Sequence, residues 1–146
     1  MRRTSNPPQR LAKRRYEVLS EFRYRLRQFL RFSEQATRNA GITPLQYQLL
    51  LHVGGFPGRE WATVGELAER LQAQPHGVLA LIARCETIGL VYRTRSKSDR
   101  RQVEIRLRPK GKRRLEKLAA LHHAELKSLH VTIGMARRLP GAGAKQ

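Results

Sequence analysis

The chain has 146 residues, one cysteine, 30 Lys/Arg and 11 Asp/Glu, for a formal net charge of +19. The length suits one domain with a modest core, and the charge implies a polyanionic partner, double-stranded DNA or RNA being the usual one. No apolar run of about 18 residues exists to span a membrane; no apolar segment follows the basic N-terminus as a secretory signal would require; one cysteine forms neither an intramolecular disulfide nor a Cys cluster for zinc, so a reduced, cytoplasmic setting is expected.

Residues 1–9 read as a disordered basic arm that Pro7-Pro8 ends. From about Arg10 to Asn39 apolar residues recur at helical spacing: Leu11, Val18/Leu19, Phe22, Leu26, Phe29/Leu30 and Ala36. A helix that long in so short a chain points to a subunit interface. Its other face carries Arg23, Arg27 and Arg31, a spacing at which like charges repel. Glu34 lies in reach of Arg31 and Arg38, and Glu21 of Arg25, which offsets part of the repulsion. Gly41 stops this helix. Thr43 caps the next, with Pro44 at its first position. It runs to about Val53, with Leu45, Leu49 and either Leu50 or Val53 inward.

Trp61-Ala62 is read as a short strand. Thr63-Val64-Gly65-Glu66 is a capping box, and the short helix after it shows Val64, Leu67, Ala68 and Leu71 on one face. Only Gln72-Ala73-Gln74 separates it from a helix opening at Pro75. That helix carries Val78, Leu81, Ile82 and Cys85 inward and ends near Ile88, with Gly89 just past its end. Next come Val91–Arg95, rich in β-formers, and Val103, Ile105 and Leu107 alternating with Glu104, Arg106 and Arg108, the period of a half-buried strand. The loop between them, Ser96 to Arg101, holds Lys97, Arg100 and Arg101 against Asp99 alone. A last helix runs from Pro109 to about Ile133, its stripe formed by Leu115, Leu118/Ala119, His122, Leu126, Leu129 and Ile133. Residues 134–146 are expected to be a flexible tail.

The charge is unevenly spread. Residues 1–38 carry a net +8 and residues 84–114 a net +9, while residues 39–83 between them carry −1. Two basic blocks suit contact with a long charged object. Catalysis finds no support: no Ser/His/Asp grouping or carboxylate pair is present. Gly54-Gly55-Phe56-Pro57-Gly58 lacks the Gly-Lys-Ser/Thr of a phosphate loop. His122-His123 with Glu125 has no cysteine to complete a metal site, and only one of the two histidines lies on the apolar stripe. No cofactor and no metal are expected. Cys85, on an inward stripe, reads as a buried, inert thiol.

Two short amphipathic helices, a three-residue turn and a basic hairpin make the order of a helix-turn-helix with a wing. In detail, this order resembles the MarR (multiple-antibiotic-resistance regulator) family of winged-helix transcription factors, over roughly Arg10 to Leu129. The resemblance is carried by Ile42-Thr43-Pro44-Leu45-Gln46-Tyr47, by Thr63-Val64-Gly65-Glu66-Leu67-Ala68, and by Leu81 to Arg84 running on to Gly89-Leu90-Val91. Asp99-Arg100-Arg101, followed by the alternating strand and Pro109-Lys110-Gly111, is its most specific part.

The resemblance implies a mainly α (α+β) fold: a winged helix-turn-helix core about 43–108, within a single domain at 10–133, and long dimerisation helices about 10–39 and 109–133. It implies a homodimeric transcriptional regulator, a repressor, with double-stranded DNA and a second copy of itself as partners. Recognition-helix contacts fall to Gln74, His76, Gly77 and Arg84, in the major groove. Wing contacts fall to Arg95, Lys97, Asp99, Arg100 and Arg101, with Asp99 pairing to Arg101 and Arg100 or Arg95 entering the minor groove. A small-molecule effector is a further implied partner. Trp61 and Tyr47 are read as core residues that could line its cavity.

Three positions depart from the family pattern. The recognition helix opens Gln74-Pro75-His76-Gly77-Val78-Leu79-Ala80 rather than with small polar residues. Arg108 stands where a threonine cap is common, and Cys85 replaces a leucine. The surplus of arginines then implies that phosphate contacts carry more of the affinity. The rival reading is a sequence-tolerant, nucleoid- or RNA-associated basic protein.

Overall fold

The computed structural model describes residues 7–138. Its elements are α1 (Pro7–Asn39), α2 (Pro44–Gly54), β1 (Trp61–Ala62), α3 (Val64–Leu71), α4 (Pro75–Thr87), β2 (Val91–Arg95), β3 (Val103–Leu107) and α5 (Pro109–Arg137). This is the mainly helical winged-helix order expected. The arm at 1–9 and the tail at 134–146 lie partly outside the described residues. Where they lie inside, the expectation changes: Pro7 to Gln9 open α1, since proline is tolerated in a first helical turn, and α5 continues through residues 134–137.

Local chemistry sets the helix ends. Thr43 Oγ1 accepts the Gln46 amide at 3.1 Å while the Thr43 amide donates to Gln46 Oε1 at 2.9 Å. Thr63 and Glu66 make the same reciprocal pair at 3.3 and 2.8 Å. Both satisfy amides that a helix start leaves orphaned. α1, α3 and α4 close with one shared pattern, in which a residue in left-handed conformation and its successor donate back to the last turn. After α1 these are Gly41 (φ 74°) to Arg38 O and Ile42 to Thr37 O; after α4 they are Gly89 (φ 76°) to Glu86 O and Leu90 to Cys85 O. After α3, Gln72 takes the left-handed position at φ 50°, donating to Glu69 O, and Ala73 donates to Ala68 O.

The strands form one antiparallel sheet in the order β1-β3-β2. Trp61 pairs with Arg106 and Ala62 with Ile105; the hairpin pairs Val91 with Leu107 through to Arg95 with Val103. β1, expected from two residues, is thus a genuine third strand.

The chain divides into two units, residues 1–33 with 122–146, and residues 34–121. The second holds the winged helix. Its core is Leu49, Leu50 and Val53 of α2, Leu67 of α3, Val78, Ile82 and Cys85 of α4, and Leu90, Val91, Ile105 and Leu118. Leu45, expected inward, is 53% exposed, and Tyr47 is buried in its stead. Leu45 belongs to the first turn of α2, whereas Leu49, Leu50 and Val53 all reach the core, a broader face than the expectation allowed. In the first unit His122 is buried between the rings of Phe29 and Phe32, at 5.9 and 5.5 Å, and bonds Ser33 Oγ at 2.8 Å. On α1, Glu21 binds Arg25 at 2.7 Å, but Glu34 makes no ion pair with Arg31 or Arg38.

Candidate nucleic-acid interface

α4 and the wing belong to the same unit, and each is pinned to it from below. α4 buries Val78, Leu81, Ile82 and Cys85, as its stripe predicts, so its opposite face is free. That face carries His76, Gly77, Ala80, Ala83 and Arg84, all exposed, with Gln74 at the N-cap. The Gln74 side chain makes no capping hydrogen bond, which leaves its amide available.

The hairpin is tied down at its base. The Arg93 guanidinium pairs with Glu86 of α4. Arg108 donates its amide to Leu90 O at 2.9 Å, and Lys110 Nζ reaches Ile88 O at 2.8 Å. Gly111 passes so close to Leu90 that a Cβ there would stand 2.0 Å from Leu90 O. The Pro109-Lys110-Gly111 motif therefore seats the start of α5 on the foot of the wing. Arg108, in a position where a cap was expected, lies 5.3 Å over the Tyr92 ring instead.

The alternation along β3 holds only in part. Ile105 is fully buried, but Val103 is 39% exposed and Glu104 is buried. Val103 pairs with Arg95 at the end of the hairpin next to the wing loop. Glu104 is held by Arg106, whose Nε and terminal nitrogen approach at 2.9 and 2.7 Å. Burial by itself would raise its carboxyl. Hydrogen bonds from Arg106 and Ser96, with the Arg106 and Arg59 charges, outweigh that and hold it below the ordinary glutamate range.

Two residues organise the wing loop. Asp99 Oδ1 accepts the Arg101 backbone amide at 3.0 Å, an Asx turn. The expected Asp99–Arg101 pairing thus runs through the main chain, and no ion pair joins the two side chains. Ser96, not singled out from the sequence, is buried; its Oγ accepts the Ser98 and Asp99 amides at 3.3 and 3.4 Å. The spacing Ser96-Lys97-Ser98-Asp99 is the signal that could have revealed it.

The fold sorts the cations of this region into two groups. Arg93, Arg106, Lys110 and Lys112 bond within the protein, Lys112 to Glu60 at 3.7 Å. Arg84, Arg95, Lys97, Arg100 and Arg101 are exposed and make no ion pair among the described residues. Wing tip and outer α4 therefore present uncompensated positive charge. A groove of about 530 Å³ runs beside the hairpin, lined by Trp61, Tyr92, Thr94, Arg95, Lys97 and Arg106 among others. Trp61 is half-buried, with the Arg59 guanidinium 3.8 Å from its ring centre. Among the described residues no group of three His, Cys, Asp or Glu could hold a metal, and no helix is long and apolar enough to cross a membrane.

Residues 40–102, from the end of α1 through α2, α3, α4 and β2 to the loop before β3, match the MarR family in sequence. Over this segment the chain is similar to the MarR family. Solved structures carry the likeness across most of the chain. A MarR family protein from Bacillus stearothermophilus is 24% identical, with 92% of this chain and 96% of that one covered and a TM-score of 0.70. AbsC, a MarR family transcriptional regulator from Streptomyces coelicolor, is 22% identical over 91% and 84%, with a TM-score of 0.63. A mutant of MepR from Staphylococcus aureus, solved bound to an oligodeoxyribonucleotide, is 22% identical over 80% and 82%, with a TM-score of 0.62. No curated protein matches in sequence. The MarR fold places α3 and α4 as the helix-turn-helix and β2–β3 as the wing.

Proposed function

We propose that the chain is a homodimeric, DNA-binding transcriptional regulator, a repressor, that acts on the nucleoid and catalyses no reaction. The observation that carries this reading is the pairing of an exposed α4 face with a wing tip whose Arg95, Lys97, Arg100 and Arg101 have no ion pair within the described protein. In this reading α4 enters the major groove with Gln74, His76, Gly77 and Arg84. The wing follows the minor groove, where an arginine reads width and potential rather than base edges. Asp99 keeps the loop in shape. The DNA complex of the MepR mutant supports the same use of the fold here.

A dimer is supported by apolar side chains of the first unit that remain open. Tyr16, Leu19, Tyr24 and Leu30 of α1 and Leu126 and Ile133 of α5 are each 46–65% exposed. Two copies would set two recognition helices about one turn of DNA apart, roughly 34 Å. A small-molecule effector that releases DNA fits the reading.

Filter binding to duplex DNA at low salt tests the proposal, and absence of binding would sink it. Arg100→Ala or Arg101→Ala should weaken binding to every sequence alike. Gln74→Ala or His76→Ala should relax specificity by about 1–3 kcal/mol for each base-edge hydrogen bond removed. The second reading, a sequence-tolerant nucleoid or RNA binder, draws support from the net +19 and from the few polar groups on outer α4. Competition with bulk DNA separates the two. A regulator keeps a preference on the order of 10³-fold or more for its site.

A further inference from the structure

We propose that the apolar stretch of α4 between His76 and Arg84 selects its site through the C5-methyl groups of thymine, so that thymines mark each half-site beside the bases that Gln74 and His76 read. The inference rests on the DNA-binding reading above and specifies what that surface recognises.

The outward stripe of α4 is His76, Ala80, Ala83 and Thr87, at i, i+4, i+7 and i+11, flanked by Leu79 and Arg84, all of them exposed. Between His76 and Arg84 every residue is Gly, Val, Leu, Ala or Ile. Eight residues of helix span about 12 Å, on the order of three to four base pairs at 3.4 Å each. Along that length the helix offers DNA no side-chain donor or acceptor. Thr87 lies beyond that length, and its hydroxyl proton is already given to Ala83 O at 2.9 Å, so it offers the groove no donor.

Core packing does not account for the outward apolar groups, since the inward stripe of Val78, Leu81, Ile82 and Cys85 fills the interior by itself. Leu79, 40% exposed, sits outside that stripe. Nothing lies within 4 Å of where a Gly77 Cβ would stand, so the helix has a bare spot where a groove wall can come close.

Major-groove chemistry decides what such a surface prefers. Guanine, adenine and cytosine show it only donors and acceptors, which an apolar surface would strip of water without replacement. Thymine alone among the four bases shows a methyl group. Ala80, Ala83 and Leu79 would meet those methyls, while His76 and Arg84 bracket the apolar stretch with the polar contacts that set register. Charge complementarity from the unpaired wing cations brings the duplex to this face.

The test uses full-length protein and a duplex enriched from a random library. Thymines of that duplex are replaced one at a time by deoxyuridine, which removes the methyl and leaves base pairing intact. At two or more positions per half-site the affinity should fall about fourfold, the effect of one buried methyl group; positions outside the half-sites should be silent. Ala80→Gly should weaken binding to the thymine duplex by a similar factor and abolish the uracil penalty at one position, a coupling that loss of helix stability would not produce. If a duplex that binds specifically tolerates uracil everywhere, the proposal is wrong and the DNA-binding reading stands. If no duplex binds, both fall.

Discussion

Gly111 shows how much one missing methyl can matter. A Cβ there would meet Leu90 O at 2.0 Å, and Leu90 O is also the acceptor of the Arg108 amide. Gly111→Ala must push backbone from backbone and break that bond, so it should destabilise by about 3 kcal/mol in chemical denaturation. Gly77→Ala, in open space on a helix, should instead stabilise by about 0.5 kcal/mol. Equal effects would refute the steric account. Cys85 is fully buried, and burial pushes its thiol up to about 11 against the opposing charge of Arg84. A thiol-alkylating reagent at neutral pH should leave it unmodified in the folded protein and label it in denaturant; rapid labelling of the native state would contradict its placement. The burial of Cys85 and of His122 was readable from helical periodicity, because a stripe on one face depends on spacing alone. Glu104 and Ser96 were not readable. Their burial depends on Arg106 and a loop folding over them, and an alternating pattern carries no information about which charge finds a partner.

The helix termini show the same division. Thr63 with Glu66 announced itself as a capping box, and Thr43 with Gln46 forms a second whose Thr-x-x-Gln spacing was present to be read. Glu66 also binds Arg59, and this sets its response to acid. Burial would raise its carboxyl, but bonds from Thr63 and Arg59 hold it below the ordinary value. A depressed carboxyl stabilises the fold above its unfolded value, about pH 4.3, and that contribution is lost as the pH drops through the folded value. Glu66→Gln should therefore flatten the acid side of the stability profile and leave its shape near neutrality unchanged. The left-handed end of α3 was hidden, because Gln72 occupies a position that glycine holds after α1 and α4. Gln72→Gly should stabilise by about 1 kcal/mol, less whatever its side-chain bond to Glu69 O contributes; a lower melting temperature would show that bond to dominate. The wing was legible as a hairpin from its β-formers. The exposure of Val103 was not, since a two-residue period says which face a side chain takes and not whether that face is covered along its whole length.

At the scale of the whole molecule, charge and apolar surface pull in opposite directions. Each chain carries +19, so two copies repel, while Leu19, Leu30, Leu126 and Ile133 are exposed apolar side chains that the proposed dimer would cover. Salt screens the repulsion over about 8 Å at physiological ionic strength and leaves apolar burial nearly unchanged. Dimerisation should therefore tighten as salt rises from about 20 to about 300 mM, as sedimentation equilibrium would read it. DNA binding should run the other way. If the four unpaired wing cations of each subunit all meet phosphate, a dimer neutralises eight charges, and log K against log salt should fall with a slope of roughly −7. Leu126→Glu places like charges in the proposed interface; it should yield monomers and halve that slope without unfolding the winged helix, because Leu126 and the wing belong to different units. A variant that stays dimeric, or a slope unchanged in monomers, would place the subunit contact elsewhere. The two opposed salt dependences share one origin in the basic composition. Together they separate the dimerisation proposed for the terminal helices from the phosphate contact proposed for the wing in a single titration series.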